Sequence, residues 1–402
     1  LSVLWSLAAV AVAAEPIWPD FEAPAPPPVR YDESAFTAPP VPHWDIALPG
    51  GRLNVFTHTE HTRPAVSGDN LYVGSAAGAA VYVIARRTGV LVDTLPASGS
   101  VESAPTVHGD AVYFSDTAGG TWCYGLDGVL RWEHHGAAPI LAQPLVVGGR
   151  VFVTAVDDLG VGLDAKTGAL LWRYAHKGDV GRVAELALYA APDPTPVGDD
   201  VLMGFSDGTI VAIDQATGDL EWARRVGEGR YADLVAAPAV LARDIFVSGY
   251  LQPLVALDVE TRAVRWRADV GAAGTPLAID VDGVGMVFHP GVDGVLRAYV
   301  ALTGAEKWRW DSGSGGALTA PVATEAGLLV GSADGSLHLV DEASGAELWS
   351  WNRDHQLNGV SAAPTVAGRQ LLFTTNAGRL YSMLAPVALQ VPEKRTPPGP
   401  EW

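Results

Sequence analysis

The sequence predicts an all-β fold, an eight-bladed β-propeller of four-stranded antiparallel blades. Three observations carry this. A short apolar strand opening on proline recurs at Pro64, Pro105, Pro144, Pro194, Pro238, Pro276, Pro321 and Pro364, at spacings of 41, 39, 50, 44, 38, 45 and 43 residues. A tryptophan keeps the same period at Trp132, Trp172, Trp222, Trp266, Trp308 and Trp349. Each tryptophan stands four residues after a turn position held by Gly128, Gly168, Gly218, Arg262, Gly304 or Gly345. Two independent markers with one period identify a structural repeat.

The seventh unit displays the elements in order. Ala320-Pro321-Val322 opens an inner strand, and Leu328–Ser332 gives a second. Asp334-Gly335 is a hairpin signal, because glycine adopts positive φ without steric cost. Leu337–Asp341 forms a third strand, Ser344-Gly345 a second turn, and Glu347-Leu348-Trp349 an outer strand. In the related turn Asp164-Ala-Lys-Thr-Gly168, the Asp and Thr side chains can bond nearby backbone N–H groups while the glycine reverses the chain. The outer tryptophan is placed to pack between neighbouring sheets, where its large area dominates the contact. A carbohydrate platform is the other use of such a stripe; one residue per repeat at fixed register favours packing.

Two units are incomplete. The first carries Asp93 where the tryptophan belongs, and the last stops near Leu384 before an outer strand. The segment His43–Leu48 holds Trp44 and is expected to supply that strand, closing the ring and removing an open sheet edge. The expected organisation is therefore an export signal at 1–14, a Pro-rich tether at 15–42, the propeller at 43–385 and a Pro-rich tail at 386–402. The first 14 residues are apolar and end in Ala11-Val12-Ala13, the apolar and cleavage regions of a secretory signal, and they are too short to span a bilayer. They begin on Leu1 without a basic flank, as a truncated signal would, and no cysteine for lipid attachment follows them.

Composition narrows the function. Hydrophobic residues make up 48% and charged residues 18% of the chain, which excludes wholesale disorder. Acidic residues outnumber basic ones by 45 to 26, for a net charge of −19. A field of that sign repels phosphate backbones and anionic lipid surfaces, excluding a nucleic-acid partner. The single cysteine, Cys123, permits no intrachain disulfide; in the apolar run Gly120–Gly125 it reads as a small buried hydrophobe.

No catalytic residue is assigned. The chain lacks a phosphate-binding loop, a nucleophile elbow and a His-Glu-x-x-His helix. His58, His61, His134 and His135 match no zinc spacing and read as loop histidines. Asp157-Asp158 and Asp280/Asp282 read as turn carboxylates, since neither follows the calcium-loop pattern. No metal is expected. The residues preceding the eight leading prolines should line one mouth of the central channel, and four of them are alanine. Arg63, Gln143 and Asp193, with Glu102 nearby, are the polar candidates there. They fit either a solvated, non-catalytic mouth or a small-molecule site.

The longest connection lies between units 3 and 4 and contains Leu186, Leu188 and Tyr189. These residues either begin the next inner strand or offer apolar anchors to a partner protein. The following connection, Gly229–Leu234, mixes Arg230, Tyr231 and Asp233.

The motif Asp-x-x-Thr-Gly-x-x-x-Trp resembles the pyrroloquinoline-quinone-like propeller repeat. Eight blades, a closing N-terminal strand and the chain length make the whole, from about Trp44 to Leu384, similar to the BamB family of outer-membrane assembly factors. That resemblance implies an exported periplasmic scaffold, monomeric, without cofactor, which docks on the barrel-assembly protein BamA. A Leu-x-Leu-Arg segment makes that contact in the family. Leu186 and Leu188 match it, with Tyr189 in place of arginine; of a following Asp-x-Asp pair, Asp233 matches the first and Val235 replaces the second. The same repeat also occurs in quinoprotein dehydrogenases. Their resemblance implies the alternative, a dehydrogenase using pyrroloquinoline quinone with calcium. A ligand-sensing or interaction module of the cell envelope is a third reading.

Overall fold

The computed structural model describes residues 36–49, 62–178, 191–229, 231–352 and 359–386. These described residues form 32 strands and no helix, in eight four-stranded antiparallel sheets. Seven sheets are continuous meanders spanning 65–96, 106–135, 145–175, 195–225, 239–268, 277–311 and 322–351. The eighth is composite. Its strands β30 (Thr365–Ala367), β31 (Gln370–Thr375) and β32 (Arg379–Leu384) receive β1 (Val41–Ala47) as their outermost member, with Trp44 opposite Ser382. The two ends of the propeller thus meet in one sheet, as the incomplete last repeat predicts.

Blade 2 shows why these residues form these strands. Its two middle strands, β7 (Ala111–Ser115) and β8 (Gly120–Gly125), are buried throughout, because neighbouring sheets cover both of their faces. They accordingly read as unbroken runs of apolar and small residues. The outer strand β9 (Leu130–His135) is mostly exposed, but Trp132 turns inward and is buried. Tyr113, Cys123 and Trp132 meet Val151, Val153 and Leu163 of blade 3, so the core lies between sheets.

The tryptophans hold adjacent blades together by a repeated device. The indole N–H of Trp132, Trp172, Trp266 and Trp308 donates to the carbonyls of Ala165, Gln215, Ala301 and Glu342, at 3.0, 3.0, 2.7 and 3.1 Å. Each acceptor is the second residue of the next blade's turn. Trp44 makes the same bond to Arg86 at 3.0 Å, locking the composite blade to blade 1. The ring face lies on the turn glycine. A Cβ on Gly168 would stand 2.6 Å from Trp132, and one on Gly345 2.6 Å from Trp308. Across its own sheet each tryptophan faces a neighbour that is usually small, such as Cys123, Gly162, Ala212, Ala256 or Ala298. Cys123, 1% exposed, is therefore a space-making residue beneath Trp132.

The turns follow the expected chemistry. Asp164 Oδ1 accepts from Thr167 N at 2.8 Å and Thr167 Oγ1 at 2.7 Å, and Gly168 has φ of 71°. Asp341 does the same with Ser344. In the incomplete first blade the Asp93 carboxylate lies on Gly128, where an indole lies on the turn glycine at five other seams.

One arrangement was not expected. Trp349 has no turn to dock on in blade 8, and its N–H donates instead to the carbonyl of Phe36 at 2.8 Å. Phe36 is 2% exposed and packs with Leu339, Leu371 and Phe373. Part of the segment read as tether is thus built into the propeller, and the first strand begins at Val41.

Candidate functional site

Each leading proline introduces a three- to five-residue inner strand beside the channel. Threonines one position later tie neighbouring inner strands together. Thr106, Thr195 and Thr365 donate to the carbonyls of Pro144, Pro238 and Pro64 at 2.6, 2.9 and 2.7 Å. The last of these crosses from blade 8 to blade 1 and completes the ring.

The structure brings three of the four expected mouth residues together. Arg63 Nη2 donates to Gln143 Oε1 at 3.3 Å, so the guanidinium reaches from blade 1 to blade 3. Gln143 N donates to Asp193 Oδ1 at 2.6 Å, and Gln143 Nε2 to Thr106 Oγ1 at 3.0 Å. Enclosure by the channel wall pushes the Asp193 carboxyl up and the Arg63 guanidinium down, and the attraction between the two charges opposes both shifts. Arg63 is open to solvent in the lumen, so channel water tempers the effect. Glu102 stands half-buried in the connection before blade 2. Beside this group is a cavity of about 350 Å³, lined by Arg63, Gln143 and Thr106 and by Pro64, Val322 and Val366. The donor set of one carboxylate, one amide and one guanidinium does not suit calcium, which takes six to eight oxygens. Among the described residues, no group of three or more His, Cys, Asp or Glu side chains is placed to hold a metal ion.

A second constellation lies where the connections enter blades 4 and 5. The hairpin turn between the middle strands of a blade clamps the incoming connection. In blade 5, Gln252 Oε1 accepts from Glu228 N at 2.7 Å, and its Nε2 donates to the carbonyls of Glu228 and Tyr231 at 3.0 and 2.5 Å. In blade 4, Asp207 accepts from His176 Nε2 at 3.1 Å, and the His176 ring stacks on Phe205 at 4.7 Å. Burial raises the Asp207 carboxyl, but the bonds from His176 and Thr209 outweigh it and hold the pKa at about 2. Asp158 reaches across from blade 3 to Ser206 N and Oγ at 2.8 and 2.6 Å. In blade 2 the fully buried Asp116 accepts from Ser98 N, Gly99 N, Ala118 N, Gly120 N and Trp122 Nε1. The turn carboxylates Asp158 and Asp116 are thus structural, and Asp280 likewise bonds Gly283 N in its own turn.

Both connections singled out in the sequence end at one place. A Cβ on Gly204 of blade 4 would meet Pro192 at 2.7 Å and Leu234 at 3.1 Å. Pro192 closes the connection that carries Leu186, Leu188 and Tyr189; Leu234 closes the one that carries Arg230 and Asp233. Leu186, Leu188, Tyr189 and Arg230 lie outside the described residues, as do His58 and His61. Asp233 is 1% exposed, so in this conformation it positions its connection and offers no side-chain surface. Sequence reasoning missed Tyr250 and Leu251, which are 41% and 58% exposed on the clamping hairpin, with Tyr231 at 39% beside them. The signal was available: this hairpin carries Tyr-Leu where most others carry Asp-Gly or alanine.

Comparison with known proteins bears on these features. The family model described as outer membrane protein assembly factor BamB matches residues 42–136, 122–287 and 292–386. The outer membrane protein assembly factor BamB of Burkholderia pseudomallei (strain K96243) is 26% identical over 327 residues, 79% of this chain and 82% of that protein. The one from Yersinia pestis is 23% identical over 362 residues, 85% of this chain and 88% of that protein. The crystal structure of BamB from Moraxella catarrhalis superposes with a TM-score of 0.70 at 21% identity, covering 86% of this chain and 100% of that one. Quinohemoprotein alcohol dehydrogenase from Comamonas testosteroni superposes with a TM-score of 0.66 at 15% identity, covering 86% of this chain and 76% of that one. At such identities the structural likenesses speak for the fold alone. The three stretches matched by the family model together take in every blade, and on that ground the chain belongs to the BamB family of outer membrane protein assembly factors.

Proposed function

We propose that this protein is a non-catalytic scaffold that assists assembly of outer-membrane β-barrel proteins through protein–protein contacts, working on the periplasmic side after export. The observation that carries the reading is the family match along the whole propeller. The construction of the molecule is consistent with it. Polar side chains at the blade ends are engaged in clamping connections, and a scaffold needs connections held in fixed positions so that little ordering is lost on docking.

The docking surface in this proposal is the end of blades 4 and 5. Leu186, Leu188 and Tyr189 supply apolar and aromatic anchors, Arg230 supplies charge, and Asp233 with Gln252 holds the second connection in place. The partner is a barrel-assembly protein of the BamA type. Reading residues 1–14 as an export signal belongs to the same proposal. The experiment is genetic. Cells lacking the protein should carry less folded β-barrel protein in the outer membrane, restored by the wild-type chain and not by a Leu186→Asp/Leu188→Asp variant. Full restoration by that variant would remove these leucines from the docking surface, and unchanged barrel levels on deletion would overturn the assembly role.

A further inference from the structure

Arg63 carries a second inference, independent of the assembly role. Among the described residues its one hydrogen bond is to Gln143, at 3.3 Å, and its counter-charge Asp193 is already engaged by Gln143 N. A guanidinium has five N–H donors in a planar fork. Most of this fork faces the lumen, beside a cavity of about 350 Å³. The hydroxyls of Thr106 and Thr365, which also line the cavity, are spent as donors on the carbonyls of Pro144 and Pro64. Val66, Val107, Val322 and Val366 add aliphatic patches to a wall that also exposes polar atoms, those of Gln143 among them. The lumen therefore presents a solvent-facing guanidinium, with one protein hydrogen bond, beside a chamber whose wall mixes aliphatic side chains with polar atoms.

We propose that the channel mouth binds a small monocarboxylic acid, its carboxylate on the Arg63 fork and its apolar body among the valines. A planar carboxylate matches the fork with two parallel bonds. Dianions such as phosphate fit poorly. One arginine with Asp193 close by does not offset the cost of dehydrating a second negative charge. The chamber opens to the lumen and lies near the lower end of the size range of ligand pockets, about 300–1,000 Å³, which suits a short chain or a single ring. Gln143, fixed by its bonds to Asp193 and Thr106, holds the fork in position, so little is lost in ordering it on binding.

The test is calorimetric titration of the full chain with hexanoate and benzoate, against hexanamide, benzamide and inorganic phosphate. Saturable one-site binding of the carboxylates is expected, with the amides and phosphate weaker by about tenfold or more. Arg63→Gln should weaken carboxylate binding by a similar factor while keeping the same unfolding midpoint. Val322→Phe, which fills the chamber from the blade 7 side, should weaken it too. Absence of saturable binding at millimolar ligand would overturn the proposal. Equal binding of acids and amides, or undiminished binding in folded Arg63→Gln, would overturn it as well.

Discussion

Replacing Gly168 by alanine tests how the blades are joined. Two costs are expected at this position. With φ at 71°, a Cβ crowds the following carbonyl, worth about 1–2 kcal/mol for a non-glycine residue in the left-handed region. That Cβ would also stand 2.6 Å from the Trp132 ring, and forcing an extra methyl into a packed contact costs about 1–3 kcal/mol. Gly168→Ala should therefore destabilise by about 2–5 kcal/mol, although glycine-to-alanine changes at compatible sites stabilise by about 0.4–1 kcal/mol. Gly109 is the internal control. Its φ is 59°, but a Cβ there would meet nothing within 4 Å, so Gly109→Ala carries the conformational cost alone. Trp132→Ala should by itself cost about 3–5 kcal/mol. In the double variant the ring is gone, so the loss should fall short of the sum of the single losses by about 1–3 kcal/mol. The assay is urea denaturation of the four variants against wild type, read as midpoint and slope. Equal losses for Gly168→Ala and Gly109→Ala, or strict additivity with Trp132→Ala, would refute the account of the seam.

Two further outcomes follow from the side chains at the blade ends and core. Asp207, with its pKa held at about 2, has a folded value below the ordinary value near 3.9, so its contribution to stability is full above about pH 4 and is lost as pH falls through about 2. Asp207→Asn should cost about 1–3 kcal/mol near neutral pH, a deficit that shrinks across that acid window in denaturation curves. Cys123, buried with its thiol pKa raised chiefly by desolvation, should resist a thiol reagent in the native state and react once on unfolding. Fast native labelling would contradict the space-making role beneath Trp132.

The fold was legible in the sequence to the extent that the repeat writes its own packing. The tryptophan, the turn glycine four residues before it and the leading proline each do one mechanical job, and each job is repeated around the ring. The closing strand could be read because Trp44 carries the same mark at the far end of the chain. What escaped the sequence lacks a repeat. Phe36 substitutes for a turn that blade 8 does not have, and a lone phenylalanine in a Pro-rich run carries no period. Asp116 and Gln252 clamp connections by accepting or donating several bonds at once, yet an isolated polar residue near a turn has the composition of any solvated loop. At the candidate site, the mouth residues were accessible because the prolines fix a register from which the preceding residue can be counted. That Arg63 reaches Gln143 across an intervening blade depends on the curvature of the ring, which spacing along the chain does not encode.

The central claim is that the end of blades 4 and 5 docks a barrel-assembly partner. It is tested most directly by titrating the full chain against the periplasmic domains of the BamA-type protein from the same organism. The account predicts saturable binding that is lost in Leu186→Asp/Leu188→Asp with the unfolding midpoint unchanged. No binding by the wild-type chain, or equal binding by the variant, would contradict it.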